Sequence, residues 1–335
     1  MRVFYERDAD LHALNGTKVA IIGYGNQGRA QALNLRDSGV NPIIGNIDDS
    51  YKETAAQDGF SPVSIEEASR LGDVLMVLIP DEVQPGVYQQ SIAPYLSAGK
   101  TISFASGYNI RFGLIAPPKD VDVVMMAPRT IGRQVRIAFE GGGGVNADVD
   151  VWQDASGKAW PTTLALAKGT GCTRAGAFHT SFKTETDLDL FSEQALWPAI
   201  FDSLLTAYEV LVDKGYPPEA VALELYASAE AADIFLAMAK RGIFEQLKFH
   251  SPTAQYGMLS HRQDATGSSG ELRKRMLATL DKIQNGDFAS EWTKEQASGY
   301  PAFSKLKKAM FSHPLNDADR SVRQLLDASG AAGAS

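Results

Sequence analysis

Little in this chain points to a stapled, secreted or nucleic-acid-binding protein. Its single cysteine, Cys172, excludes an intramolecular disulfide and any metal cage built on several thiolates. The surrounding Lys168-Gly-Thr-Gly-Cys-Thr-Arg-Ala-Gly176 brings no histidine at motif spacing, so Cys172 reads as a small packed residue. Basic residues are the minority, 32 against 40 acids, and the charge of −8 leaves no basic tract for nucleic acid or an anionic membrane. No apolar run approaches the ~20 residues of a membrane span, and Met1-Arg-Val-Phe-Tyr-Glu-Arg-Asp8 lacks the apolar core of a signal peptide. These absences predict a cytoplasmic enzyme acting on a small molecule. With 335 residues the chain can hold two domains at the usual ~100–200 residues each.

What is present is led by Lys18-Val-Ala-Ile-Ile-Gly-Tyr-Gly-Asn-Gln-Gly-Arg29, a short apolar strand running into a glycine-spaced turn and then a helical run. In this pattern Gly23 allows the tight turn, Gly25 lets the backbone approach a pyrophosphate, and Gly28 permits close helix-to-strand packing. Free N–H groups at the helix start then face the anion. Such a pattern predicts dinucleotide binding by Gly23, Tyr24, Gly25, Asn26, Gln27 and Gly28.

Short β-branched runs alternate with helical patterns up to about residue 180: Lys18–Ile22, Asn41–Gly45, Val74–Ile79, Thr101–Ala105 and Val121–Met126. That alternation predicts a Rossmann-type α/β domain, a parallel sheet with helices on both faces, over residues 1–181. From residue 182 the period becomes helical, in Thr186–Lys214, Pro218–Arg241, Ser269–Gln284 and Pro301–Ser312, predicting an all-α domain over 182–326. Gly267-Ser-Ser-Gly270 reads as a break, and the small, polar residues 327–335 read as a disordered tail.

The choice between dinucleotides is normally made at the end of the second strand. Here Asp48 and Asp49 would repel a 2′-phosphate and accept from ribose hydroxyls, with Ser50 beside them, which favours NADH over NADPH. In the second domain Glu185, Asp189 and Glu193 stand at i, i+4 and i+8, on one face of a helix. Carboxylates stacked this way suit Mg²⁺, although a solvated acidic face has the same spacing. Glu224 lies in the otherwise apolar Ala220-Val-Ala-Leu-Glu-Leu-Tyr-Ala-Ser228, where a buried acid would need a partner or a metal.

These segments together resemble the ketol-acid reductoisomerases, in the short form with one helical domain, from about residue 4 to residue 325. The carrying stretches are Asp8-Ala-Asp-Leu11, the glycine turn through Gly39, Ile79-Pro-Asp-Glu-Val-Gln84, Gln153-Asp-Ala-Ser-Gly-Lys158, Thr173-Arg-Ala-Gly176, Asp189-Leu-Phe-Ser-Glu-Gln194, Ser251-Pro-Thr-Ala-Gln-Tyr-Gly257 and Gly286-Asp-Phe-Ala-Ser-Glu-Trp292. The resemblance implies a knotted helical domain and a homodimer or larger assembly whose active sites draw on two chains. It implies a reaction in which Mg²⁺ promotes an alkyl shift in 2-acetolactate and a nicotinamide cofactor reduces the product. By position, Asp189 matches a carboxylate bridging two Mg²⁺ ions, Glu193 a ligand to one of them, Glu224 an acid from the partner chain and Ser251 a substrate-carboxylate contact. Pro80, Asp81 and Gly107 join the cofactor-binding set.

The chain departs from the family pattern at several functional positions. An Ala-His-Gly loop becomes Phe104-Ala-Ser-Gly-Tyr108, an Ala-Pro-Lys-Gly-Pro-Gly loop becomes Ala127-Pro-Arg-Thr-Ile-Gly132, Ser228 replaces a second metal-linked glutamate, and Arg29 replaces a histidine. A hydroxyl cannot carry charge near pH 7 as imidazole can, and a planar guanidinium is not a point-charge ammonium. These changes fall on the isomerisation machinery more than on hydride transfer. They lead to the expectation of a diverged oxidoreductase that reduces a C=O or C=N bond of a small substrate, a cationic or amino-containing one included. In it Ser106 and Arg129 flank the substrate, and Asp189, Glu193 and Glu224 hold a metal or the substrate itself. The alternatives are an authentic Mg²⁺-dependent reductoisomerase and a catalytically silent dinucleotide-binding protein.

Overall fold

The computed structural model describes residues 1–261 and 269–328. The chain divides into two compact units, Met1–Leu188 and Asp189–Ser335.

The first unit is built on an eight-stranded sheet: β1 (Val3–Phe4), β2 (Val19–Ile22), β3 (Ile43–Gly45), β4 (Val74–Val77), β5 (Thr101–Phe104), β6 (Asp122–Pro128), β7 (Ala147–Gln153) and β8 (Ala177–His179), in the order β1-β8-β7-β6-β5-β4-β2-β3. β3, β2, β4, β5 and β6 are parallel, as expected, and their ends lie within two residues of the predicted runs. Alternate side chains enter opposite cores: Val19 and Ile21 join Leu35, Met76 and Leu166 on one face, while Ala20 and Ile22 join Leu75, Ile102 and Phe104 on the other. Both faces are therefore dry, which is why these strands read as unbroken apolar runs.

The sequence reading missed β1, β7 and β8. β7 pairs antiparallel with β6 and carries Asp148 and Asp150 at alternate positions, so it lacks the continuous apolar signature of its neighbours. The first two strands of the wound sheet lie side by side and β4 pairs on the far side of β2, so the strand order reverses there and opens a crevice beyond their carboxyl ends.

The division between the two compact units falls inside the helix Phe182–Phe191. Its first turn belongs to the sheet unit because Phe182 is fully buried there and its amide donates to Asp150 Oδ2 at 3.0 Å.

The second unit is helical throughout its described residues, as expected, and includes Trp197–Asp213, Pro218–Ala222, Glu230–Arg241, Pro252–Ser260, Ser269–Gln284, Asp287–Ala297, Pro301–Phe311 and Leu315–Ala328. The predicted segment Pro218–Arg241 is interrupted by a π-helical turn at Leu223–Ala227 and by Ala229, whose φ of 68° is left-handed. Part of the predicted break at Gly267–Gly270, and residues 329–335 of the predicted tail, lie outside the described residues; Asp327 and Ala328 end a helix instead.

Phe182–Asp213 runs as one helix containing an 18-residue window of mean hydropathy 1.3, long and apolar enough to cross a membrane by length and composition. Asp202 and Glu209 interrupt the run in sequence. Length and composition alone do not separate such a span from a packed helix.

Candidate active site

The glycine turn forms the floor of the crevice. Gly23 has φ 95°, and a Cβ there would stand 2.5 Å from Ile79 Cγ2; a Cβ on Gly28 would stand 1.9 Å from the Gly23 carbonyl oxygen. A Cβ on Gly25 meets no protein atom within 4 Å. The open side of Gly25 is thus the cleft itself, where a pyrophosphate could approach the backbone. The helix Asn26–Asp37 starts there without a side-chain cap, which leaves its first amides to an anion. These features fit a dinucleotide.

The cleft encloses about 770 Å³ and is walled by Gly23–Gln27, by Asn46, Ile47, Asp49 and Tyr51 after β3, by Pro80, Asp81, Val83 and Gln84 after β4, and by Ala105 and Ser106 after β5. Asn46 organises the end of the cleft beside β3: its Oδ1 accepts from the Tyr24 amide at 2.9 Å and its Nδ2 donates to Asp49 Oδ1 at 2.7 Å. The same Asp49 oxygen caps the next helix by accepting from the amides of Tyr51 and Lys52. Asp48 and Ser50, expected at the ribose, are not in the wall. Asp48 is 96% exposed and pairs with Lys52, while Ser50 opens the helix that Asp49 caps. The sequence reading missed Asn46, Ile47 and Tyr51 as cleft residues; an Asn directly after the apolar run that ends in Gly45 was the available signal.

Tyr24 and Arg29 are tied behind the turn. Arg29 donates twice to Asp58, from Nε at 2.6 Å and Nη2 at 3.0 Å, and Tyr24 OH donates to the same carboxylate at 2.9 Å. The guanidinium holds the Asp58 carboxyl below the usual carboxylate range, and burial beside that carboxylate pushes the Tyr24 phenol up. Asp81 is held at the cleft's other end, its Oδ1 accepting from Gln84 Nε2 at 3.0 Å.

The loop after β6 closes against the glycine turn: Gln27 Nε2 donates to the Thr130 carbonyl at 2.8 Å, and a Cβ on Gly132 would stand 1.9 Å from the Asn26 carbonyl oxygen. That contact positions Arg129. Its Nη1 donates to Glu185 Oε1 at 3.1 Å, while Glu185 Oε2 accepts from the Gly107 amide at 2.8 Å. One carboxylate therefore joins the loop after β5, the loop after β6 and the helix that leaves the sheet. Gly107 is required there, since a Cβ would stand 2.5 Å from the Phe182 carbonyl oxygen. Next to it, Ser106 Oγ accepts from the Tyr108 amide at 3.2 Å, at the edge of the cleft. Tyr108 is buried, its hydroxyl has no hydrogen-bond partner among the described residues, and burial pushes its phenol up to about 12.

Glu185 corrects the predicted metal-binding face. It is 2% exposed and engaged by Arg129 and Gly107, so it does not act with Asp189 and Glu193 as a free acid. In the second unit Asp189 is half-buried, and Glu193 is exposed in a π-helical turn, Ser192–Leu196. Glu224 is exposed, against the expectation of a buried acid. Val221 and Ala222 take the buried side of its helix, and two residues past Ala222 lies the opposite face. Among the described residues no three His, Cys, Asp or Glu side chains converge as a metal cage. Asp189 and Glu193 supply oxygen donors suited to Mg²⁺, and further donors would have to come from elsewhere. Ser251 caps the helix Pro252–Ser260 by accepting from the Ala254 amide at 3.3 Å.

Residues 13–176 match the family described as acetohydroxy acid isomeroreductase, NADPH-binding domain, and residues 182–328 match ketol-acid reductoisomerase, C-terminal domain. The chain is 43% identical to the ketol-acid reductoisomerase (NADP(+)) of Pyrobaculum neutrophilum, over 97% of this chain and 99% of the relative. It is 40% identical to that of Methanocaldococcus jannaschii, over 97% and 98%. Among solved structures, an NADH-preferring ketol-acid reductoisomerase from an uncultured archaeon superposes with a TM-score of 0.92 at 37% identity, covering 97% of this chain and 99% of the other.

Proposed function

This chain belongs to the ketol-acid reductoisomerase family of NAD(P)H-dependent oxidoreductases, and from that premise we propose that it is a working reductoisomerase, converting 2-acetolactate to 2,3-dihydroxy-isovalerate in branched-chain amino acid synthesis. The observation that carries this reading is correspondence along nearly the whole of both chains with relatives of that name, over 97% and 99% in one case. The glycine turn, Asp189 and Glu193 agree with it.

In this reading the nicotinamide cofactor supplies hydride and Mg²⁺ polarises the substrate oxygens. The chain's own groups do the rest. Gly23, Gly25 and Gly28 seat the pyrophosphate; Asn46 and Asp49 face the ribose; Ser106 donates its hydroxyl toward the reacting oxygen; Arg129 faces the substrate; Asp189 and Glu193 hold metal. NADH is the favoured cofactor, because Lys52, the cation in the first turn of the helix after β3, is already paired with Asp48 at 3.1 Å, and Asp49 in the cleft wall would meet a 2′-phosphate. The assembly is at least a homodimer, in which exposed Glu224 serves the second copy's site. Trp197, Phe201, Phe235 and Phe249, all more than 40% exposed in the single chain, support burial against another copy.

A second reading has its own support. Ser106, Arg129 and Ser228 suit a diverged carbonyl or imine reductase that has lost the alkyl shift. The test is oxidation of NADH and NADPH by the purified protein with 2-acetolactate, with and without Mg²⁺. Mg²⁺-dependent turnover is expected. A protein that binds cofactor yet leaves 2-acetolactate untouched, while reducing simple ketones or imines, would replace the first reading with the second.

A further inference from the structure

Arg129 lies between two carboxylates, not one. Glu185 accepts from its Nη1 at 3.1 Å, and Asp148 Oδ2 lies 3.8 Å from its Nε. The two acids come from different elements. Glu185 belongs to the helix that leaves the sheet, whereas Asp148 sits on β7, opposite Ala127 of β6 and two residues in register from Arg129's own position. Both are sheltered, with side-chain exposures of 2% and 16%, against 36% for Arg129. The trio therefore carries a formal charge of −1 around a guanidinium whose plane is approached from two edges. Charges in such partly buried surroundings interact far more strongly than in water.

We propose that Asp148 is a specificity-determining positioning residue: it orients the Arg129 guanidinium and offsets its charge, lowering the site's preference for a substrate that carries a carboxylate. The inference rests on the reading in which Arg129 faces the substrate. Glu185 alone would leave a neutral pair, and a nearby carboxylate substrate would then meet a less shielded cation. With Asp148 present, the same substrate meets a guanidinium flanked by two carboxylates and gains less from it. Asp148 touches no reacting atom; it acts through Arg129.

The test compares two hydroxyketones differing in one group, 3-hydroxy-3-methyl-2-oxobutanoate and 3-hydroxy-3-methyl-2-butanone, in which a methyl replaces the carboxylate. In Asp148→Asn, kcat/KM for the anionic ketone should rise by about five-fold or more, with the neutral ketone unchanged within about two-fold. Asp148→Glu, which keeps the charge, should retain the wild-type ratio. A parallel readout needs no turnover: oxalate titrated into the protein with NADH and Mg²⁺, followed by nicotinamide fluorescence, should bind about five-fold tighter in Asp148→Asn. Equal effects on both ketones together with unchanged oxalate affinity would overturn the proposal and make Asp148 a structural residue. Failure of wild-type protein to convert 2-acetolactate, with oxalate still tightening in Asp148→Asn, would remove the reductoisomerase reading and leave this one standing.

Discussion

Arg129 and Glu185, 56 positions apart in sequence, meet at 3.1 Å, and the other oxygen of the same carboxylate holds the Gly107 amide. The acid is nearly inaccessible and the guanidinium is not. A carboxylate buried to that degree needs such donors to compensate its lost hydration.

Glu185→Gln keeps the shape and removes the charge. Arg129 retains Asp148 and partial solvent access, so the expected loss of stability is moderate, about 1–3 kcal/mol by urea unfolding. Turnover should fall by ~10-fold or more, because the loops bearing Ser106 and Arg129 lose their shared anchor, while cofactor affinity changes little. Wild-type turnover in this variant would detach Glu185 from the site.

Two glycines three residues apart should differ in what their substitution does to stability. Gly28→Ala places a methyl 1.9 Å from a carbonyl oxygen, forcing helix and strand apart, so both stability and cofactor binding should suffer. Gly25→Ala meets no protein atom within 4 Å. Its melting temperature should stay near wild type while the dinucleotide Kd rises by ~10-fold or more, since the methyl occupies the pyrophosphate's approach. Normal cofactor affinity in Gly25→Ala would move the phosphates elsewhere.

Asp58 gives a pH prediction whose sign is set by Arg29. Its folded carboxyl titrates below the usual carboxylate value, so between the two values the unfolded chain binds more protons. The stabilisation is present above the unfolded value and is lost as pH falls through the folded one. Asp58→Asn should lower stability near neutrality by about 1 kcal/mol, discounted because Arg29 is half exposed, and should flatten the acid limb below about pH 4. Parallel acid limbs for the two proteins would contradict this.

Asp189→Asn should abolish Mg²⁺-dependent turnover and weaken Mg²⁺ binding measured calorimetrically, with NADH binding intact, because the carboxylate lies outside the sheet unit that forms the cleft. Retained Mg²⁺-dependent activity would exclude Asp189 as a ligand.

Much of this architecture was legible along the chain because it rests on local physics. A strand buried on both faces must be continuously apolar, and a turn that admits a pyrophosphate must be glycine, so β2 to β6 and the Gly23–Gly28 turn were readable from residue type and spacing. The helical period after residue 182 was readable for the same reason. What could not be read is long-range placement. β7 hides because its antiparallel pairing permits Asp148 and Asp150 within a strand. Glu185 shares its spacing with Asp189 and Glu193, yet burial against Gly107 and Arg129 gives it another task. Asp49 looks like a plain cleft residue in sequence, yet one of its oxygens also accepts from two amides and Asn46, so it caps a helix as well as lining the cleft. Periodicity and composition dictate which elements form; which of several equivalent acids becomes a counter-ion, a cap or an exposed ligand depends on what folding brings within about 3 Å of it.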